Sequence, residues 1–318
     1  MNDSTGSKIQ IGISSCLLGE KVRFDGNHKH DHYITDTLGR VFQFVPFCPE
    51  VAIGLGVPRE PIRLEGDPGM PRAIGVRDKS LDVTIALANY GRKVVNHSQQ
   101  ISGFILKSRS PSCGMERVKV YPPHGVPRHG RGIFAAALME GLPWLPVEEE
   151  GRLGDPALRD NFLERVFACH RWQQLHRAPL TPQRLVEFHT RHKLIVMAHS
   201  TEAYRALGRL VAEAGSQPIA ELGARYIDEL TAALKHRATE RRHANVLHHL
   251  LGYLKKQLDS ADKAELLELI EQYRRGHLPL IVPLTLLRHH FRRHPHPYVA
   301  GQLYLEATPQ ELLLRSQL

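Results

Sequence analysis

The stretch Ile9–Glu20, IQIGISSCLLGE, decides how the first half of the chain folds. Its first six residues, Ile9–Ser14, form an apolar run that predicts a buried β-strand, and turn-like residues follow directly. Two further runs of this kind, Val41–Phe47 and Ile101–Lys107, are separated by amphipathic stretches such as Leu81–Asn96, which has helical spacing. This alternation predicts an α/β domain with a parallel-type sheet and flanking helices.

The rest of the first half contains two segments with strong turn signals. Residues 54–72, GLGVPREPIRLEGDPGMPR, are rich in proline and glycine, which predicts a long functional loop or lid. The segment Gly130–Glu140, GRGIFAAALME, predicts a glycine-rich turn that leads into a helix. A stretch containing proline and glutamate, Leu142–Pro156, closes this part, so residues 1–150 are predicted to form one domain.

The second half has a different pattern. Residues 151–180 are predicted to be a linker with one connecting helix, Ala157–His176, for which Asp155 is the expected N-cap. From Leu185 onward, apolar residues recur at helical spacing and strand signals are few. Residues 181–318 are therefore predicted to form an all-α helical domain.

Charge is distributed unevenly along the 318 residues, whose formal net charge is +9. Residues 1–150 carry 18 basic and 16 acidic side chains, whereas the remainder carries 24 and 17, together with 14 of the 20 histidines. Such a basic half suggests a polyanionic partner such as nucleic acid, although solvated basic faces are also common.

The chain lacks the sequence features of secreted and membrane proteins. Its first residues, MNDSTGSKIQ, do not have the pattern of a signal peptide, and no apolar run approaches the roughly 20 residues that a membrane span requires. Four cysteines without close pairing argue against a disulfide framework. We therefore expect a cytoplasmic protein with no membrane partner.

Three of the four cysteines follow the predicted strands. Cys16, Cys48 and Cys113 each lie near proline, glycine, serine or charged residues. Because the carboxyl ends of parallel strands share one edge of a sheet, three thiolates gathered there could hold a metal or an iron–sulfur cluster with one coordination position open. Spacing alone does not decide this, because there is no CxxC pair and a free cysteine is often a small buried apolar residue. Cys169, on the connecting helix, is predicted to be structural.

Four motifs in the first half resemble the thiouracil desulfidase family. They are SSCLLGEKVRFDG (Ser14–Gly26), CPE (Cys48–Glu50), KSRSPSCG (Lys107–Gly114) and GRGIFA (Gly130–Ala135). The resemblance covers about residues 8–150. It implies that three cysteines hold a [4Fe-4S] cluster whose fourth iron has no protein ligand, and residue by residue these are Cys16, Cys48 and Cys113.

Desulfuration of a thiolated pyrimidine by water requires a base for the water and a proton donor for the ring nitrogen or the sulfur. Glu50, two residues after Cys48, is the candidate base, although it could also be an exposed charge or an acid at a helix N-terminus. Ser110 is the candidate proton relay, with Ser112 as the alternative, although serines in such turns often bond only to their own backbone. The candidate substrate contacts are Asp25, Lys107, Ser108 and Ser112.

The second half carries clusters of basic residues that could bind RNA phosphates. The candidates are Lys235, Arg237, Arg241, Arg242, Lys255, Lys256, Arg274, Arg275, Arg288, Arg292 and Arg293. The segments Leu185–Ser200 and Tyr204–Ala212 resemble the YbgA-like domain, which is often fused to the desulfidase domain. The resemblance implies an RNA-binding module and an enzyme that removes sulfur from 4-thiouridine in tRNA.

Three functions thus remain open. The first is an iron–sulfur desulfidase that acts on thiolated tRNA, and the second is the same enzyme acting on free thiouracil or thiouridine. The third is a non-enzymatic nucleic-acid-binding protein whose cysteines are structural or bind zinc. The charge of the second half favours the first over the second, because a free base needs no extended cationic surface.

Overall fold

A computed structural model describes residues 8–305. Residues 1–7 lie outside this range. They belong to the segment for which the sequence predicts no signal peptide. Residues 306–318, at the end of the predicted helical domain, also lie outside it. The chain divides into two compact units, with the division after Gln174. Below, these are unit 1 (residues 8–174) and unit 2 (residues 175–305).

Unit 1 contains all of the named strands. They are β1 (Ile9–Ser14), β2 (Phe42–Phe47), β3 (Ile62–Asp67), β4 (Met70–Gly75), β5 (Ile101–Leu106), β6 (Val118–Tyr121), β7 (Arg128–Gly130) and β8 (Val147–Glu149). The helices of the two units are α1 (Pro49–Ala52), α2 (Thr84–His97), α3 (Ile133–Gly141), α4 (Pro156–Leu175), α5 (Pro182–His199), α6 (Thr201–Ala212), α7 (Ile219–Lys235), α8 (Glu240–Leu254), α9 (Ser260–Arg274), α10 (Ile281–Arg293) and α11 (Pro297–Ala300).

The first sheet has the strand order β2-β1-β5-β8, and every neighbouring pair is parallel. Its central strands are buried, since Ile11 and Phe104 are fully inaccessible to solvent. This explains why β1 and β5 are nearly continuous apolar runs in the sequence. The predicted α/β fold with a parallel-type sheet is confirmed, and the strands predicted by the three apolar runs are its three neighbouring strands.

The second sheet was not expected from the sequence. The prediction of a loop or lid over residues 54–72 is wrong for its second part, because β3 and β4 form an antiparallel hairpin there. Ile62 and Leu64 alternate with polar residues and are buried beside Ala73 of β4. The glycines and prolines around Pro68 belong to the tight turn and its flanks, so their abundance concealed a short strand pattern.

Helix α4 belongs to unit 1. Its N-terminus is capped as predicted, because the Asp155 side chain accepts hydrogen bonds from the backbone N–H groups of Ala157 (2.9 Å) and Leu158 (3.1 Å). The ring of Phe167 lies 5.9 Å from that of Phe42 in β2. The sequence places this helix in a linker over residues 151–180, whereas its buried apolar face packs on the sheet of unit 1.

Unit 2 consists of the helices α5–α11, so the prediction of a helical second domain is confirmed. Several of its helices begin at capping residues whose side chains accept a backbone N–H, among them Thr181, Ser200, Thr239 and Asp259. Leucines from several helices, such as Leu230 in α7 and Leu247 in α8, are completely buried. Among the helices described, none combines the length and the apolar character needed to cross a membrane.

Candidate active site

The three cysteines that follow strands line one cavity in unit 1, with a volume of about 350 Å³. Cys16 lies in a short 3-10 helix directly after β1, Cys48 directly after β2, and Cys113 in the loop after β5. These strands are parallel neighbours, so their carboxyl ends meet at the same edge of the sheet. All three cysteines are free thiols. The sheet therefore brings together residues that are far apart in the sequence.

Burial is the main influence on the pKa values of these thiols. It raises the pKa of Cys16 to about 11, and it also raises the pKa values of Cys48 and Cys113. The Cys48 sulfur lies 3.8 Å from the carbonyl oxygen of Val22. Within residues 8–305, no three His, Cys, Asp or Glu side chains stand close enough to hold a single metal ion.

Cys169 does not line this cavity. It is buried on α4 in an apolar cluster that also includes Phe104, Leu106 and Cys113. Burial raises the pKa of its thiol as well. These surroundings fit the structural role predicted for it.

Glu50, the candidate base, follows Cys48 in α1 and lines the cavity. Its Oε1 accepts a 2.9 Å hydrogen bond from the Ser112 hydroxyl. Its Oε2 contacts two nitrogens of Arg59, at 2.9 and 2.8 Å. Arg59 also lines the cavity, but the sequence analysis missed it, because a single arginine in a proline-rich stretch gives no local signal. Ser112 and Arg59 thus orient the Glu50 carboxylate, each through one of its two oxygens.

The two candidate relay serines occupy different positions. Ser110 lines the cavity, and its Oγ accepts hydrogen bonds from the backbone N–H groups of Ser112 (3.2 Å) and Cys113 (3.1 Å). The Ser112 side chain is completely buried and does not line the cavity. Ser110 therefore shapes the loop that carries Cys113, while its own hydroxyl hydrogen stays available for donation.

Lys107 and Ser108 line the cavity and share a carboxylate partner, Glu150. The Lys107 ammonium donates to Glu150 and to the Ser108 hydroxyl, the latter at 2.9 Å. The Ser108 backbone N–H and hydroxyl each donate to Glu150 at 2.7 Å. The sequence analysis missed Glu150, although it directly follows the fourth parallel strand, β8, at the same sheet edge.

Asp25 is an exposed residue outside the cavity lining, and its carboxylate accepts a 3.1 Å hydrogen bond from the backbone N–H of Asn27. That bond is the main reason why its pKa is lowered. Basic residues line the cavity nearby, namely Arg23, Lys29 and Arg109. The substrate contact assigned to Asp25 stays a prediction, and the cavity presents mainly positive charge.

Backbone N–H groups of the motif Gly130–Ala135 form hydrogen bonds to the loop that carries Cys113. The backbone N–H of Gly132 donates to the carbonyl of Gly114 at 2.8 Å, and that of Ala135 donates to the carbonyl of Ser112 at 3.1 Å. A Cβ atom on Gly132 would lie 2.5 Å from the Ser112 carbonyl oxygen, a distance that side chains do not tolerate. Glycine is needed here because the loop approaches the start of α3 so closely.

The basic residues predicted to bind RNA are distributed over α7–α10 and the segments between them in unit 2. Arg242 and Arg288 bond to backbone carbonyls of their own unit, those of His199 (2.8 Å) and Leu305 (2.5 Å). Arg274 and Arg275 both pair with Glu271. The remaining candidates are exposed, namely Lys235, Arg237, Arg241, Lys255, Lys256, Arg292 and Arg293.

Two protein families match the chain in succession. Residues 11–150 match the sequence model of the family described as 2-thiouracil desulfurase. Residues 193–309 match that of DUF1722, described as a protein of unknown function. The two matches correspond to the α/β unit and to the helical unit.

Similar proteins include two curated relatives and one solved structure. The uncharacterized protein YbgA of Escherichia coli (strain K12) is 37% identical over 157 residues, which are 49% of this chain and 93% of that protein. The uncharacterized protein YbbK of Bacillus subtilis (strain 168) is 32% identical over 136 residues, which are 41% of this chain and 89% of that protein. The structure of the [4Fe-4S]-dependent thiouracil desulfidase TudS is 33% identical and covers 48% of this chain and 97% of its own, with a TM-score of 0.38.

Proposed function

Because the chain belongs to the 2-thiouracil desulfurase family through unit 1 and to the DUF1722 family through unit 2, we propose that it is a desulfidase of thiolated tRNA. The reaction removes sulfur from 4-thiouridine and gives uridine and hydrogen sulfide. The observation that carries this proposal is the convergence of three free thiols, from three parallel strand ends, on one cavity.

The donor set of this cavity fits a [4Fe-4S] cluster held by Cys16, Cys48 and Cys113. Cysteine thiolates are the usual ligands of such clusters, and each would bind a different iron, so the sulfur atoms need not converge on a single ion. No fourth cysteine lines the cavity among the residues described, which leaves one coordination position without a thiolate from this part of the chain. When bound, the cluster supplies a soft Lewis acid for the thiocarbonyl sulfur.

The reaction exchanges one sulfur for one oxygen without net oxidation or reduction. The oxygen of water forms a bond to the ring carbon, the carbon–sulfur bond breaks, and the two water protons leave with the sulfur as hydrogen sulfide. Glu50 takes the proton from the attacking water, since its carboxylate lines the cavity and is oriented by Arg59 and Ser112.

The ring nitrogen or the departing sulfur also needs a proton donor. Ser110 fits this role because its oxygen accepts two backbone N–H groups, which leaves its hydrogen free to point into the cavity. The Lys107 ammonium and the Ser108 hydroxyl are held by Glu150 on the cavity wall and contact the substrate. These groups would orient the planar ring toward the site that the three cysteines hold.

Positive charge favours a nucleotide within RNA over a free base. Arg23, Lys29 and Arg109 line the cavity, and within residues 8–305 neither Lys29 nor Arg109 forms an ion pair. A free thiouracil offers no charge for these cations, whereas a polynucleotide offers phosphates. Unit 2, which contains most of the excess positive charge, then binds the RNA backbone. A tRNA substrate and four free thiols also agree with a reducing, cytoplasmic location.

The decisive test starts with anaerobic reconstitution of the full chain with iron and sulfide. The protein is incubated with tRNA that contains 4-thiouridine, and in parallel with free 4-thiouridine and thiouracil, and the nucleosides are quantified. Conversion of 4-thiouridine in tRNA supports the proposal. An unchanged 4-thiouridine content in tRNA with full iron loading rules out the tRNA substrate. Conversion of only the free compounds establishes the second function, and RNA binding without any iron establishes the third.

A further inference from the structure

The loop that carries Cys113, residues 107–117, has an unfavourable backbone conformation. Arg109 and Arg117 have φ angles of +59° and +55°, in the left-handed region that residues with a side chain rarely adopt. Each such residue is unfavourable because its Cβ atom crowds the backbone. A loop of this kind keeps its shape only when contacts outside the loop hold it.

Glu149, the last residue of β8, makes such contacts. Its Oε1 accepts hydrogen bonds from the backbone N–H groups of Met115 (2.8 Å) and Glu116 (3.4 Å), which follow Cys113 by two and three residues. Glu149 is buried, with only 7% of its surface exposed, so water does not replace these hydrogen bonds in the native structure. Glu149 also lies opposite Leu106, the last residue of β5.

The neighbouring glutamates hold other parts of the same loop. Glu150 accepts the backbone N–H of Ser108, near the start of the loop, at 2.7 Å. Glu148 accepts a 2.6 Å hydrogen bond from Arg152, and Arg152 in turn contacts the Glu116 carboxylate at 2.9 Å. The run of three glutamates at the end of β8 therefore ties both ends of the loop to the parallel sheet.

We propose that Glu149 is a positioning residue for Cys113: its buried carboxylate holds the backbone of the loop so that the Cys113 thiol faces the cavity. The inference rests on the proposed function only for the role of Cys113 as a ligand of the cofactor. Glu149 itself does not line the cavity, so it acts through the loop and not on the substrate.

The test measures the accessibility of each cysteine in the full chain before the cofactor is added. Iodoacetamide modifies the protein at alkaline pH, and mass spectrometry follows Cys113 and Cys169 separately. In Glu149→Ala we expect Cys113 to react at least about tenfold faster than in the native sequence, because the loop opens locally. Cys169, which is buried on α4 and does not line the cavity, should react at its native rate. The matched control is Glu140→Ala, which removes an exposed glutamate on α3.

A second variant separates positioning from a general loss of structure. In Glu149→Gln the amide oxygen still accepts a backbone N–H, so the Cys113 rate should stay within about twofold of native. After reconstitution, iron content should fall in Glu149→Ala and stay near native in Glu149→Gln and Glu140→Ala. An unchanged Cys113 rate in Glu149→Ala, or an equal rise for Cys169, would overturn the inference. If instead no variant binds iron while the contrast in Cys113 reactivity persists, the proposed function fails and the positioning role of Glu149 stands.

Discussion

The hydroxyl of Ser112 donates a 2.9 Å hydrogen bond to the Glu50 carboxylate. This bond joins the loop after β5 to the helix after β2, so it connects the segments that carry Cys113 and Cys48. Arg59 contacts the same carboxylate through its other oxygen. The candidate base is therefore built into the framework that gathers the thiols, and its orientation depends on the same loops.

Replacement of Glu50 separates catalysis from cofactor binding. In Glu50→Gln we expect the rate constant for desulfuration to fall by about 10²–10⁴, because the amide cannot take a proton from water. Iron content should stay near native, since the amide still accepts the Ser112 hydroxyl. The measurement is single-turnover sulfide release at matched iron loading, with Glu140→Gln as the control. Near-native turnover in Glu50→Gln would remove the base assignment.

Single replacements of the cysteines distinguish the cavity thiols from the core thiol. Cys16→Ala, Cys48→Ala and Cys113→Ala should each lose most of the iron and the visible absorbance after anaerobic reconstitution, because each removes one of the three proposed ligands. Cys169→Ala should keep both, with a loss of about 1 kcal/mol in stability from the smaller side chain. Full iron loading in any of the three cavity variants would contradict the ligand set.

Salt dependence of tRNA binding distinguishes exposed from paired basic residues. The double variant Lys255→Ala/Lys256→Ala should reduce the slope of log K against log salt by about 1.5 to 2, because two phosphate contacts are lost. Arg274→Ala/Arg275→Ala should reduce it less, since Glu271 pairs with both arginines. Equal changes in the two double variants would show that pairing with Glu271 does not determine which residues contact RNA.

The stability of unit 2 should decrease in mild acid because of His189. Burial lowers the pKa of His189 to about 4, with a smaller effect from Lys193, whereas an unfolded chain has a histidine pKa near 6.5. Between these values the unfolded state binds the extra proton, so stability falls as the pH drops from 6.5 toward 4, by about 3 kcal/mol at most.

Far-UV circular dichroism of thermal unfolding at pH 7 and pH 5 measures this effect. His189→Phe should show a smaller difference between the two pH values than the native sequence does. Replacement of the exposed His248 by alanine is the control and should leave the difference unchanged. A His189→Phe variant with the full acid sensitivity of the native chain would show that other groups cause it.

The sequence predicted the parts of the site that depend on local patterns. Apolar runs before Cys16, Cys48 and Cys113 indicated buried strands, and the rule for parallel sheets placed their ends together. The hairpin of β3 and β4 was missed because turn residues outnumber the few alternating apolar residues in that stretch. Neither the pairing of Arg59 with Glu50 nor that of Glu150 with Lys107 could be predicted, since tertiary structure selects these partners.

The same difficulty affects unit 2. A cluster of basic residues in the sequence does not show which side chains already form hydrogen bonds within the protein. Arg242 and Arg288 satisfy carbonyl groups of their own fold, whereas Lys255 and Lys256 lie in the solvent-exposed segment after α8. Helical periodicity predicts that all four are near the surface, and only the packed structure separates them.

The burial that raises the pKa values of Cys16, Cys48 and Cys113 also favours the neutral thiol over the thiolate at neutral pH. Peroxide attacks the thiolate and not the thiol, so a cysteine that stays protonated at neutral pH oxidises slowly. Burial is therefore expected to slow oxidation of the three thiols that we propose as cluster ligands.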